Sequence, residues 1–549
     1  MNNNTNNNSL LHTLTDNICT QYLNLRLSIY FNLIEIFFVI SIILLILVWI
    51  FFSNYRIKNK NYFLNINKFL VNYLIIIFMI LFIAYGSLFW YFLNNFGNSI
   101  FFIFFGQIKV TSFIILFKLL ISFTTLIYLI FLKNHLKLER KNEYKFIILI
   151  PFTCLGSLLL VQSNDFITLI LSIEIMALSL YAFVPSKENN KFATEASLKY
   201  YIIGSVASSL LILGCSIVYL YTGTINLEEI KLFLLNKYEG NYLNPMKEET
   251  LFLLLGVLFI YIAILIKIGV APFHFWIPEV YGGSPLIILM FISLVPKIAY
   301  FGILITLTFY TFAILKSVMD VWFIILGVVT IILGVFGSIY QLKVRKFLAY
   351  SMFTNTGLFV AVIGLHNPTA VVSVMFSLIL YIILMINLFG SFLLIYDKNT
   401  NKPFDNLNDI SNLFNINPIL SINIGLTLIS LAGLPFLSGF FIKFELLKNF
   451  FVESPYYYPY KYSIISSLFN NFFIIIGILL IILSLIASFY YLRILKLMFF
   501  EKELKINTLL IKQPDFGVAV VIALIFLFNL GSIFFINTIL MLVDSCLIP

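Results

Sequence analysis

Long apolar runs, separated by short polar connectors, fill almost the whole chain. The first two span 27–52 and 69–94. Each exceeds the roughly 20 residues a helix needs to cross a hydrocarbon core about 30 Å thick. A membrane barrel would instead show segments of about ten residues in strict alternation, and none occur. The pattern therefore predicts an all-α, polytopic transmembrane bundle of about fourteen helices. They are placed at 27–52, 69–94, 111–133, 146–163, 166–184, 197–222, 251–271, 286–313, 321–340, 346–365, 369–396, 419–447, 471–497 and 516–543. The connectors supply an independent check, because cytoplasmic or matrix-side loops carry an excess of Lys and Arg. With the N-terminus outside, inside connections hold 21 Lys/Arg and outside segments 8. That asymmetry predicts an N-out, C-out chain.

Composition agrees with the pattern. The 549 residues are 61% hydrophobic and 11% charged, with mean hydropathy +1.03. A soluble domain is about 45–50% apolar and about 25% charged. Residues 1–26 form an Asn-rich polar extension with Arg26 as its one cation, unlike the basic start of a secretory signal. The bias towards Phe, Ile, Leu, Asn, Tyr and Lys hints at an AT-rich coding genome such as an organelle's. Cys19, Cys154, Cys215 and Cys546 are scattered, which argues against a disulfide framework or an iron–sulfur site. His12, His135, His274 and His366 form no stacked pair for haem. Neither a phosphate loop nor a dinucleotide fingerprint is present. Redox cofactors and nucleotides are thus expected elsewhere.

The charges inside the apolar segments carry the candidate chemistry. Lys118, Lys199, Lys267, Lys297 and Lys443 fall there, as do Glu35, Glu174 and Glu445. A cation at the bilayer centre costs about 2.5–3.5 kcal/mol on insertion scales. Lys118 and Lys199 can either snorkel from helix ends or serve transport. Lys297 lies near the midplane, where snorkelling is hardest, so transport is the expectation there. Two segments place helix breakers beside a Lys: Lys267 precedes Gly269 and Pro272, and Gly433 and Pro435 precede Lys443. Broken helices at membrane depth persist only where they line protein or a watery cavity. These are the seventh and twelfth segments. Helices five apart cross in opposite directions, so a five-helix repeat would be inverted, as in many transporters.

The chain also carries recognisable motifs. Glu174 stands in Leu171-Ser172-Ile173-Glu174-Ile175-Met176-Ala177, followed by Ala193-Thr194-Glu195-Ala196-Ser197-Leu198-Lys199-Tyr200-Tyr201. Lys267 precedes Ala271-Pro272-Phe273-His274-Phe275-Trp276 and Pro278-Glu279-Val280-Tyr281-Gly282-Gly283. Val295-Pro296-Lys297, Lys346-Phe347-Leu348-Ala349-Tyr350-Ser351 and Gly439-Phe440-Phe441-Ile442-Lys443 follow. Over roughly residues 27–500 the chain resembles the antiporter-like membrane subunits of proton-pumping NADH:ubiquinone oxidoreductase, respiratory complex I. The Pro-Glu-Val-Tyr stretch and Lys443 match the subunit 2 pattern. Asn355 departs from a frequent His, and Arg345 from a frequent Lys. Residues 231–249 look like an enlarged outside loop.

The resemblance implies a proton-conducting subunit of an NADH:ubiquinone reductase with no redox site of its own. NADH, FMN, iron–sulfur clusters and ubiquinone would reside in other subunits. The implied proton relay is Glu174, Lys267, Lys297 and Lys443. Glu35, Lys118, Glu195, Lys199 and His274 are relay or support residues. His274 either bonds freed backbone or helps conduct protons. Glu195 and Lys199, four apart, can pair on one helical face, either feeding protons inward or bracing the headgroup region. Burial disfavours the charged form of either residue type, and a nearby carboxylate favours a charged Lys, so a buried Glu–Lys pair can act as a switch. Expected partners are other complex I subunits and membrane lipids, with no nucleic acid. The expected site is the mitochondrial inner membrane, or alternatively a bacterial plasma membrane. The expected organisation is an extension (1–26), N-terminal helices (27–145), two five-helix repeats (146–313 and 321–497) and a final helix (516–549). A multisubunit cation/proton antiporter component and a non-conducting scaffold are the competing functions.

Overall fold

The computed structural model describes residues 33–50, 60–95, 99–139, 144–185, 191–238, 248–398, 403–452, 463–501 and 509–546. The 1–26 extension, part of the 231–249 connection, Lys402 and Cys19 lie outside these residues. Apolar runs become helices because lipid offers no partners to backbone N–H and C=O groups, which a helix pairs internally.

The N-terminal part comprises α1 (Leu33–Ile50), α2 (Lys60–Asn95), a hairpin of β1 (Phe101–Ile103) and β2 (Ile108–Val110), and α3 (Ser112–Glu139). Next come α4 (Tyr144–Gln162), α5 (Phe166–Phe183), α6 (Lys191–Thr222), α7 (Leu227–Tyr238), α8 (Glu248–Ile268), α9 (Trp276–Gly283) and α10 (Leu286–Thr306). A π-helical turn, Leu307–Thr311, extends α10. The second half holds α11 (Lys316–Tyr340), α12 (Val344–Ile363), α13 (Pro368–Phe392), β3 (Ile395–Asp397), α14 (Leu413–Ile416), α15 (Pro418–Ala432), α16 (Ser438–Val452) and α17 (Ser463–Phe499). β4 (Leu509–Ile511), α18 (Phe516–Leu530) and α19 (Ser532–Asp544) complete the chain. Both strand pairs are antiparallel two-stranded sheets, β1–β2 a hairpin and β3–β4 joining segments distant in sequence.

Among the described residues eleven helices are long and apolar enough to span a membrane, or twelve with the bent pair α18/α19. The remaining two expected segments are the shorter apolar helix at Ile147–Gln162 and the broken pair α15/α16. Both predicted breaks are present, and Gly269 and Gly433 adopt φ of 88° and 89°, a region that residues with a Cβ resist. The predicted 251–271 helix thus ends at Ile268, and 276–283 forms its own short helix. Three expectations change. The 516–543 segment bends by 89° at Gly531, where Asn529 accepts a bond from Ser438 (2.7 Å). The 286–313 segment ends in the π turn. The supposed loop from 231 onward begins as the amphipathic helix α7, whose Leu227, Ile230 and Leu234 are buried.

The connections sort by parity. One end gathers β2, the α4–α5 link and Asn226 before α7, through the bridges Ile108↔Ser163 and Asp165↔Asn226. The other gathers the links after α9, α11, α13 and α17. There Arg345 donates to Ser284 O (2.9 Å) and pairs with Asp405 (2.6 Å), and β3 pairs with β4. The charge rule places the first end outside and the second inside. The packing is also parallel between halves: α4 lies along α5 as α11 lies along α12, and α6 along α8 as α13 along α16. Core residues concentrate on α3, α10, α12 and α13, which thread the middle of the bundle.

Candidate functional site

Lys297 lies on one of these central helices, and Lys267 and Lys443 lie on α8 and α16, which pack against α10 and α13. Lys267 lies in the last turn of α8, and its Nζ donates to the Tyr181 hydroxyl on α5 (3.0 Å). Gly204 on α6 makes that possible, because a Cβ there would meet the Tyr181 hydroxyl at 1.7 Å. Glu174 sits two helical turns before Tyr181, on the same side of α5. Its charge reaches Lys267, Tyr181 and Tyr300, and its Oε1 is buried without a hydrogen-bond partner. Glu174 and Lys267 are therefore near enough for charge to act between them, and no direct ion pair links them among the described residues.

The break after Lys267 is closed by protein groups. Ala271 N–H donates to Thr330 Oγ1 on α11 (3.0 Å), and Trp276 Nε1 donates to Ile266 O (3.1 Å). His274 lies against the Phe275 and Phe353 rings.

Lys297 is 8% exposed on α10, and its Nζ has no hydrogen-bond partner among the described residues. It lines a void of about 10 Å³ with Ser293, Thr356 and Tyr381, room for about one water. The Tyr381 hydroxyl is likewise unpartnered. Tyr381 is near Tyr490 and Tyr491, and the Tyr490 hydroxyl lies 3.3 Å from Thr354 Oγ1. A second void of about 10 Å³ is lined by Thr354, Asn355, Lys443, Ser484, Tyr490 and Tyr491. Consecutive residues of α12 thus face two chambers: Thr354 and Asn355 face that of Lys443, and Thr356 faces that of Lys297.

Lys443 is on α16 but leans back across the break, as helical side chains do. Its Nζ donates to Ala432 O, the last residue of α15 (2.7 Å). Gly433 leaves space for it: a Cβ there would lie 3.0 Å from Nζ. The ammonium therefore sits at the level of the break.

The supporting residues separate into two sites. Lys118 on α3 is fully buried and does not snorkel. It donates to Glu35 Oε1 (2.6 Å) and to Gln162 Oε1, and Gln162 Nε2 donates to Glu35 Oε2 (3.1 Å). Lys199 is solvent-exposed and bridges Glu195 (2.7 Å) and Glu279 on α9 (2.6 Å). These ion pairs tie α6 to the second half of the broken helix. The sequence reading missed the tyrosines that link the bases. Tyr181 is seven residues after Glu174 and Tyr300 three after Lys297, so helical spacing could have placed these two. Tyr381, Tyr490 and Tyr491 are brought in by packing between distant helices.

Fold and site together define a polytopic helical membrane protein with two broken helices and a buried series of bases. The family model described as "NADH:quinone oxidoreductase/Mrp antiporter, TM" matches residues 163–469. The chain belongs to this family. It is 30% identical over 392 residues to NADH-ubiquinone oxidoreductase chain 2 of Marchantia polymorpha, covering 71% of this chain and 74% of that one. It is 30% identical over 396 residues to NADH-quinone oxidoreductase subunit N of Rhodospirillum rubrum, covering 71% and 75%. The fold is similar to a chain in respiratory complex I from Thermus thermophilus, with TM-score 0.67, 20% identity and coverage of 92% and 98%. It is also similar to a chain of the Mrp complex from Dietzia sp. DQ12-45-1b, with TM-score 0.73, 16% identity and coverage of 93% and 96%.

Proposed function

We propose that this chain is a membrane-arm subunit of a proton-translocating NADH:quinone oxidoreductase and conducts protons through Glu174, Lys267, Lys297 and Lys443. The observation that carries the reading is Lys297, a buried base with no hydrogen-bond partner among the described residues, in a void lined by α10, α12 and α13. A proton on Lys297 can pass through the Tyr381–Tyr490–Thr354 groups towards Lys443. Glu174 and Tyr181 set the charge on Lys267 at the other end. NADH, FMN, iron–sulfur clusters and ubiquinone belong to other subunits on this reading. The names of the relatives support it. The relative from Marchantia and the residue bias favour a mitochondrial inner membrane.

A cation/proton antiporter component is the second reading, favoured by the fold shared with the Mrp chain. A pure scaffold is disfavoured, since a binding charge would not be left unpartnered as Lys297 is. Two measurements test the proposal: co-purification with NADH oxidation activity and iron–sulfur proteins, and proton pumping by Lys297→Met. Pumping at the parent's level in that variant would reject the relay. Purification with a sodium-dependent antiporter and no NADH oxidation would favour the second reading.

A further inference from the structure

Lys267 is buried, yet exposed charged groups lie a short way inward of it. Its partner, the Tyr181 hydroxyl, rests against Gly204 of α6, and Lys199 is five residues nearer the inner end of the same helix. At roughly 1.5 Å per residue that separation is about 7.5 Å along the axis. An aromatic wall fills it. The Tyr200 ring stacks on Trp276 of α9 (4.9 Å between centres, 15° between planes) and meets the Tyr181 ring edge-on (4.9 Å). Tyr200 and Trp276 are both buried, and the Trp276 indole is held by its bond to Ile266 O, next to Lys267. Further inward the seam between α6 and α9 has no slack, because a Cβ on Gly283 would lie 2.7 Å from the Ala196 Cβ.

The two flanks of α9 are held differently. On one, Lys199 pairs with Glu279 across the seam (2.6 Å), whereas its second partner Glu195 (2.7 Å) is on α6 itself and ties nothing across. On the other, α12 packs against α9, with the Lys346 stem along Gly282 and Arg345 donating to Ser284 O. Lys199, Glu195 and Glu279 are all exposed. Exposed ion pairs contribute little and are screened by salt, so the α6 flank is the weaker hold.

We propose that the α6–α9 seam is the inner-side water gate of Lys267, closed by the Tyr200–Trp276 stack and latched by the Lys199–Glu279 pair. Parting the two rings joins inner water to the Tyr181 hydroxyl and so to Lys267. α9 stays seated on α12 as the seam opens, which keeps the helix break in place. The use of the opening for proton uptake rests on the relay proposed above, but the opening itself is read without pumping.

The test is thiol labelling of the assembled complex in vesicles that expose the inner face, using a membrane-impermeant reagent and a chain carrying Cys19→Ser and Lys267→Cys. Labelling should be slow in that chain. Glu279→Ala should speed it about two- to fivefold, the scale of one exposed ion pair, and high salt should act in the same direction. Gly283→Ala, which wedges the seam without touching a charge, should also speed it. Glu195→Ala should not, since that pair lies within α6. Fast labelling before any of these changes overturns the gate. So does a rate that Glu279→Ala and Gly283→Ala leave unchanged, or an equal response to Glu195→Ala. If Lys267→Cys does not assemble, Tyr181→Cys, next to the same stack, carries the label with the same expectations. Loss of pumping in Lys297→Met with no response in labelling would retain the relay and remove the gate.

Discussion

At the scale of single residues, spacing and burial decide what each charge can do. Gly204 is an exacting position for the site, because any side chain there displaces the Tyr181 hydroxyl from Lys267. Gly204→Ala should therefore lower coupled proton translocation several-fold while the subunit still assembles. Pumping in reconstituted vesicles, set against assembly on native gels, checks this. Glu174→Ala should impair coupled turnover more strongly, whereas changing the surface acid Glu501 should not; equal pumping by Glu174→Ala and parent particles would remove Glu174 from the relay. The Glu35–Lys118–Gln162 group makes a different prediction. Removing one partner of a buried ion pair costs about 3–5 kcal/mol, and the partial exposure of Glu35 sets the expectation for Lys118→Met at the lower end. Thermal stability of the assembled protein should fall, and Glu35→Gln added to Lys118→Met should recover part of the loss. No recovery would show that packing, and not charge, dominates at Lys118.

At the scale of elements, the two helix breaks were legible because the sequence marks them twice, with Gly or Pro and with a nearby Lys. Lys267 with Gly269 and Pro272, and Gly433 and Pro435 with Lys443, both fold as expected. The bend at Gly531 was not legible, since one glycine in an apolar run is common and the contact from Ser438 to Asn529 crosses 91 residues. α7 was read as loop because its apolar face is short and its polar face begins with Glu228 and Glu229. Tyr381, Tyr490 and Tyr491 were invisible for the same reason as the bend: they come from helices whose adjacency is set by packing. For the second break, Lys443→Met should cut pumping to the uncoupled background if Lys443 acts near release. The same variant leaves Ala432 O without its donor, so assembly must be measured alongside. Intact pumping would limit Lys443 to capping the break.

At the scale of the whole molecule, the parity of the connections gives a test of orientation. Phe105 stands fully exposed at the hairpin end, and Lys398 is exposed near β3 at the other. Cys154, Cys215 and Cys546 are buried, so with Cys19, which lies outside the described residues, replaced by Ser, an introduced thiol can be read against a low background. Phe105→Cys should react with a membrane-impermeant reagent from the positive side, and Lys398→Cys from the opposite side only. The reverse result would invert the N-out topology while leaving the fold intact. The parallel packing of α4–α10 and α11–α17 supports the two inverted repeats proposed from break placement.

Those two halves differ in what stands opposite their lysine. Lys267 faces Glu174, a group that can itself gain or lose charge. Lys443 faces the carboxyl end of α15 through Ala432 O, and a helix terminus carries partial negative charge with no proton to exchange. In electrical terms, the first half has an adjustable bias and the second a fixed one. On the proposed relay, timing can be imposed only at the Lys267 end, and the Lys443 end can only follow.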